Sequence, residues 1–337
     1  MTTTPRRNLL TDVPGLKVGH AEDPRLASGT TCILFDEPVI AACDVRGGGP
    51  GTRETDLLDA GRTVEKIDAI VLSGGSAFGL DACAGAQAYL RDQGRGFAIR
   101  DIRVPIVPGA ALFDLLNGGD KAWGQYPPYR DLGWAAAQAA ASGTEDFALG
   151  SVGAGLGATT VNLKGGLGSA SAVTEDGITV AAIAAVNAVG SATVGDGPFF
   201  WAGPYEQDGE FGGMGFPSKM PADGLKTMMK GVQRTSTTLV LVVTDAALGR
   251  THAMRLATMA QDGMARSLYP IHTPLDGDIV FAAATGRRIL GDAVTGLARL
   301  GTAAANVVAR AIARGVYEAT ALPFSGALPA YKDRYPS

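Results

Sequence analysis

Residues 239–243 read L-V-L-V-V, five apolar residues in a row with polar residues on either side. A run so short and so rich in β-branched residues is a buried strand, since a helix needs more length. Runs of the same kind recur at 30–35, 39–45, 69–72, 180–189 and 279–284. Helical patterns occupy 80–93, with Leu80, Cys83, Ala84 and Ala88 inward and Gly94 as a stop, then the Ala-rich 133–141, 251–267 and 292–314. Strands and helices come in groups, not in strict alternation. That favours two sheets covered by helices over a doubly wound parallel sheet. The 337 residues suffice for one large α/β domain or two ordinary ones.

Local signals refine this expectation. Asp36-Glu37-Pro38 between two apolar runs predicts a β-hairpin over 30–45. Pro105 confines a strand at 104–107 to an edge. Asn187 falls inside the run at 180–189, where an amide must find partners or cost about 1–3 kcal/mol. Two glycine-rich loops invite nucleotide readings. Residues 46–53, R-G-G-G-P-G-T-R, offer backbone N–H groups to an anion but lack the Gly-Lys-Ser/Thr ending of a P-loop. Residues 150–158, G-S-V-G-A-G-L-G-A, offer G-x-G-x-x-A, yet Thr159-Thr160-Val161 follows where that motif opens a helix.

Bulk properties exclude several classes. A net charge of −4 gives no electrostatic case for nucleic acid or an anionic membrane. Cys32, Cys43 and Cys83 form no C-x-x-C pair and read as buried apolar residues of a reducing compartment. Neither a signal-peptide core at 1–10 nor a transmembrane-length apolar run is legible, so a soluble cytoplasmic protein is the expectation.

The chemistry must come from few groups. His20, His252 and His272 have no metal-ligand spacing, and no G-x-S-x-G elbow is present. A triad with dispersed members stays open, with His272 as its base. The other route is the mouth of the strand at 239–243, where Ser236, Thr237 and Thr238 stand. A hydroxyl residue freed at a chain end carries its own base, an α-amine of pKa about 7.7–8.0. Inside a chain that requires prior cleavage. Residues 195–231, Gly- and Pro-rich and too long for an ordinary connection, lead straight to this point. Turn hydrogen bonding by these hydroxyls is the plain alternative.

Eight segments in order resemble the DmpA-type family of L-aminopeptidase/D-amidase-esterases, β-peptidyl aminopeptidases and nylon-oligomer hydrolases. They are L-T-D-V-P-G-L-K-V-G-H, D-V-R-G-G-G-P-G-T-R-E-T-D, L-S-G-G-S-A-F-G-L-D-A, N-G-G-D-K-A-W-G, G-A-G-L-G-A, K-G-G-L-G-S-A-S, T-T-L-V-L-V-V-T-D and H-T-P-L-D-G-D, spanning Leu10 to Asp278. The resemblance implies a four-layer α-β-β-α sandwich and a single catalytic domain self-cleaved into 1–236 (α chain) and 237–337 (β chain). It places the nucleophile at Thr237 and the scissile bond after Ser236, a residue that departs from the family's usual Asn or Gly; Ser236 is the fallback nucleophile. It implies Asn187 as oxyanion donor, Asp276 and Asp278 as orienting carboxylates, Lys164 as the site lysine, and Tyr126 or Tyr129 as the site tyrosine. No metal or organic cofactor is implied. The expected substrate is a small peptide, amide or ester, and the expected assembly a homo-oligomer of αβ units. Two alternatives carry over: an acyltransferase of the ornithine acetyltransferase type, and an uncleaved non-catalytic relative.

Overall fold

The fold, seen in a computed structural model, is described for residues 2–5, 7–231 and 236–336; Arg234 and Thr235, which precede the hydroxyl-rich stretch, lie outside them. Its strands are β1 (Leu16–Asp23), β2 (Ser28–Val45), β3 (Thr52–Arg53), β4 (Lys66–Ser73), β5 (Phe97–Ile99), β6 (Ile102–Val104), β7 (Gly109–Ala111), β8 (Leu167–Val173), β9 (Thr179–Ala185), β10 (Leu239–Ala247) and β11 (Ile279–Ile289). The helices are α1 (Asp81–Asp92), α2 (Tyr129–Ser142), α3 (Arg250–Ala265), α4 (Thr295–Tyr317) and the short α5 (Tyr331–Arg334). Hydrogen bonding runs in the order β3-β7-β4-β2-β11-β10-β9-β8, with β1 beside β2. The β10–β11 and β4–β7 pairs are parallel and the others in this path antiparallel, so the arrangement is mixed.

Side-chain alternation sorts these strands into layers. On β10, Leu239, Leu241 and Val243 enter one apolar cluster, while Val240 and Val242 enter another with α3 and α4. On β9 and β11 the same division holds, with Ile183 and Phe281 facing the first cluster and Ala182 and Ala282 the second. On the other half, Ile33, Phe35, Ile70 and Leu72 join the first cluster, whereas Cys32, Leu34, Ala69 and Val71 pack on α1 and α2. Three clusters between four layers make the α-β-β-α sandwich. Because the central strands are buried on both faces, their sequences are continuous apolar runs rather than alternating ones.

Three local readings change. Residues 30–45 are not a hairpin but part of the single 18-residue strand β2. Asp36-Glu37-Pro38 forms a bulge, seen as the register shift between Leu34 and Val39 against β4, so the turn signal bends the strand without reversing it. Beyond the bend β2 pairs with β11, and this one strand links the two sheets. The strand expected at 104–107 ends at Val104 in the β5–β6 hairpin, and the sheet continues instead through β7. Asn187 lies two residues beyond the end of β9, in the connection after the strand.

The long 195–231 segment is held by buried charge. Glu210 receives the guanidinium of Arg310 on α4, and Arg314 lies 3.7 Å from the same carboxylate. Arg310 Nη1 also donates to Ser171 O at 2.9 Å and Nη2 to Asn8 Oδ1 at 2.9 Å. Removing one partner of such a buried set would leave an uncompensated buried charge and destabilise the fold.

His20 on β1 sits with its Nδ1 3.0 Å from Thr31 Oγ1, and burial lowers its pKa from 6.5 to about 4. Between those values the unfolded chain binds the proton and the folded chain does not. Stability therefore falls as pH drops from about 6.5 towards 4, by at most about 3 kcal/mol at about 1.4 kcal/mol per pH unit. A His20→Gln variant is expected to show a shallower loss of melting temperature across this window than the wild type. An equal slope in both would remove His20 as the cause.

Candidate active site

The entrance to β10 is fixed through its main chain. Ser236 N–H donates to Leu275 O at 3.1 Å, and Gly277 N–H donates to Ser236 O at 2.7 Å. Thr237 N–H donates to Asn187 O at 2.8 Å. Thr238 N–H donates to Asp278 Oδ1 at 2.9 Å. The Ser236–Thr237 peptide is thus clamped between the end of the β9 connection and the turn before β11. Thr237 Oγ1 lies 2.7 Å from Ser236 O, the carbonyl oxygen of the bond it would attack. Serine and threonine hydroxyls commonly bond locally. Here the carbonyl also carries a main-chain donor aimed at the place where negative charge would develop.

Close approach explains Gly277. A Cβ there would meet Thr237 Oγ1 at 2.5 Å and Gly49 O at 2.6 Å. The glycine-rich loop at 46–51 is what closes on this turn. Arg46 and Gly47 N–H groups donate to Asp278 O, Gly48 N–H to Thr273 O and Gly49 N–H to Asp276 O. Its amides are committed to the turn, so the loop is a brace and not an anion cradle.

The two aspartates of this turn divide the work. Asp278 is fully buried; beside Thr238 N–H it receives His272 N–H and His272 Nδ1 on Oδ2, each at 3.1 Å. His272 therefore steadies Asp278, and among the described residues it makes no contact with a hydroxyl nucleophile. Asp276 receives Thr273 N–H at 2.9 Å, Thr273 Oγ1 at 2.8 Å and Val189 N–H at 3.2 Å. Burial, followed by the charge of Asp278, raises its pKa. Asp276 shapes the turn and ties it to the 187–189 segment.

Asn187 has two faces. Its main-chain oxygen holds Thr237 N–H. Its side chain donates from Nδ2 to Phe113 O at 2.9 Å and accepts Thr159 N–H at 3.0 Å and Lys230 Nζ at 3.2 Å on Oδ1. One of the two Nδ2 hydrogens is thereby used. Phe113, Thr159 and Lys230 line a cavity of about 150 Å³, together with Asp114 and the C-terminal residues 325–328. In this uncleaved chain the donor on the Ser236 carbonyl is Gly277 N–H, not the Asn187 amide.

The remaining sequence candidates stand further off. Lys164 is buried, and its Nζ donates to Gly155 O, Ala158 O and Gly165 O at 3.0, 2.8 and 2.6 Å. Burial pulls its pKa down to about 7, against the charge of Asp114, which favours the ammonium. Lys164 thus braces the turn beside Thr159 and reaches Asn187 only through it. Tyr129 is buried and donates to Ser28 Oγ at 3.1 Å, and Ser28 Oγ donates to Asp114 Oδ2 at 2.6 Å. It reaches the cavity wall at that remove, with its pKa raised chiefly by burial. Tyr126 does not join this group: it is 76% exposed and pairs with Gln125. Ser236 Oγ is buried without a hydrogen-bond partner among the described residues, and the Thr235–Ser236 bond it would have to attack lies outside them.

Sequence reading missed Lys230, Asp114 and Gly277. Asp114 carried a signal, a lone acid in the apolar stretch A-L-F-D-L-L. It is fully buried, its pKa raised by desolvation against the lowering effect of Ser28.

A family model described as Peptidase family S58 matches residues 8–327. The chain belongs to peptidase family S58. An uncharacterized aminopeptidase of Mycobacterium bovis is 40% identical over 350 aligned positions, covering 98% of each chain. A 6-aminohexanoate-oligomer endohydrolase of a Kocuria species is 28% identical, covering 84% of this chain and 76% of that one. Among solved structures, the L-aminopeptidase D-Ala-esterase/amidase of Ochrobactrum anthropi superposes with a TM-score of 0.72 at 22% identity, over 98% and 93% of the two chains. A β-aminopeptidase of a Burkholderia species gives 0.71 at 22% identity, over 99% and 93%. The fold is accordingly the S58 variant of the N-terminal-nucleophile hydrolase fold.

Gly277→Ala retains the residue's N–H, but its Cβ would press on both Thr237 Oγ1 and the Gly49 carbonyl, so hydroxyl and turn must move apart. A displacement near 1 Å can cost about 100-fold in rate. If Thr237 cuts the bond before it, as the sequence leads one to expect, cleavage of this variant, followed by denaturing electrophoresis over time, slows by about tenfold or more. Cleavage at the wild-type rate would show that the crowding at Gly277 is irrelevant to the bond.

Proposed function

We propose that the protein cuts itself between Ser236 and Thr237 and that Thr237, as the new N-terminus of residues 237–337, is the nucleophile of an aminopeptidase or amidase acting on small peptides and related amides. One observation carries this reading: a single peptide bond has its own hydroxyl 2.7 Å from the carbonyl oxygen and a main-chain N–H donor 2.7 Å from the same atom.

In self-cleavage Thr237 Oγ1 attacks the Ser236 carbonyl carbon, and Gly277 N–H stabilises the oxyanion. The C–N bond breaks as the nitrogen takes a proton, leaving an ester on Thr237 that water hydrolyses. The freed α-amine keeps its place through Asn187 O and then serves as base for the adjacent hydroxyl. In turnover Thr237 Oγ1 attacks a substrate amide, the leaving amine departs with a proton, and water releases the acyl group. Asp278 holds Thr238 in register, and Asp276 joins the turn to the Asn187 segment. The Asn187 side chain bonds Phe113, Thr159 and Lys230, which line the cavity, so it stands directly behind the wall that would meet the substrate's acyl part. The S58 relatives named as aminopeptidases support a substrate with a free amine, and the nylon-oligomer relative supports tolerance of backbones other than α-peptides.

Thr237→Ala is expected to lose both self-cleavage and hydrolysis of an amino-acid p-nitroanilide, with kcat/KM down by at least about 1,000-fold; Thr237→Ser retains measurable activity. Hydrolysis persisting at the wild-type level in Thr237→Ala would overturn the assignment.

A further inference from the structure

Residue 230 is the point where an exposed strap turns inward. Leu225, Lys226, Thr227, Met229 and Gly231 are exposed, whereas Lys230 is buried. Among the described residues from Glu206 to Gly231 there is no helix or strand, and Met220, Leu225 and Met229 show 42%, 62% and 49% of their surface to solvent. Within that loosely packed run, Lys230 N–H donates to Val189 O at 3.1 Å. Its ammonium donates to Thr159 O at 2.8 Å and Asn187 Oδ1 at 3.2 Å.

This place is built for an ammonium. Thr159 N–H on Oδ1 and Phe113 O on Nδ2 fix the amide of Asn187 with its oxygen towards the cation. An ammonium carries three donors and no acceptor, and its buried charge requires compensation. The same cavity wall contains the buried carboxylate of Asp114, held by Ser28 Oγ at 2.6 Å and Gly75 N–H at 2.8 Å. Asn187 is also the residue whose main-chain oxygen holds Thr237 N–H, so the ammonium place and the nucleophile adjoin across one residue.

We propose that Thr159 O and Asn187 Oδ1 form the subsite for the ammonium of a primary-amine substrate, and that Lys230 occupies it as an internal competitor. This rests on the reading of Thr237 as nucleophile of an amine-bearing amide's hydrolysis. Lys230 lies on the α-chain side of the proposed cut, six residues before its new end. Cleavage releases the strap from Thr237, and a substrate ammonium then displaces the lysine. An occupied site lowers the incoming ligand's apparent affinity to its intrinsic affinity multiplied by the fraction of time the site stands open.

The test uses purified cleaved enzyme and n-butylammonium as the probe. Lys230→Met keeps the aliphatic stem and removes the charge. It is expected to bind n-butylammonium about tenfold more tightly than wild type by calorimetry, if Lys230 fills the site about nine-tenths of the time. The KM for a free-amine p-nitroanilide falls by a similar factor, while that for its N-acetyl counterpart stays put. Unchanged or weaker n-butylammonium binding, or a loss of kcat on both substrates, overturns the proposal by making Lys230 a positioning group for Asn187. Should Lys230→Met not fold, wild-type enzyme decides: the ratio of acetic anhydride labelling at Lys230 to that at exposed Lys226, which cancels the reagent consumed by the probe amine, rises with n-butylammonium concentration, and a flat ratio overturns the proposal. Failure of the enzyme to hydrolyse any p-nitroanilide would refute the reading of Thr237 instead, since binding and labelling do not depend on turnover.

Discussion

The hydrogen bond from Gly277 N–H to the Ser236 carbonyl organises the site. It exists because two strands distant in sequence, β10 and β11, start side by side and run parallel, Leu239 opposite Ile279. The residues just before them, Ser236 and Asp276, are already bridged in the same direction. A carbonyl at one strand mouth therefore meets an amide at the next. Everything else at the site protects that register: Asp278 on Thr238 N–H, the glycine-rich loop on the turn, and Asp276 on Val189 N–H.

The cost of burying the charged groups here is met by partners around each of them, while the hydroxyls of Ser236 and Thr238 have none among the described residues. Buried polar groups are costly unless partnered, and here the carboxylates of Asp114, Asp276 and Asp278 each accept at least two donors. Lys164 spends its three protons on three carbonyls. The Glu210 cluster with Arg310 and Arg314 does comparable work at a distance. It fastens residues upstream of the proposed cut to α4 downstream of it, and so would keep the two products together.

Much of this was legible in the sequence where burial on two faces leaves no choice of residue. The runs of β4, β9, β10 and β11 announced themselves because both of their faces are apolar, and α1 ended at its glycine signal. The bend in β2 was misread because Asp-Glu-Pro is equally suited to a turn and to a bulge; only pairing with β4 on both sides of it decides. Of the site residues, Thr237, Asn187, Asp276 and Asp278 converge on one peptide, while Tyr126 does not. Glycine at 277 shows in sequence only an Asp-Gly pair suited to a turn, because its contact with Thr237 Oγ1 exists only across the strands. Lys230 left no trace, since M-M-K-G resembles any exposed loop and its burial depends on a cavity assembled from four separate segments.

The central claim is that one bond, Ser236–Thr237, is both the cut and the origin of the nucleophile. Intact-mass measurement with N-terminal sequencing of active, purified protein tests it most directly. The account predicts a chain ending at Ser236 and a second beginning Thr237-Thr238-Leu239. A second chain beginning at Ser236, or a single uncut 337-residue species that hydrolyses amides, would contradict it.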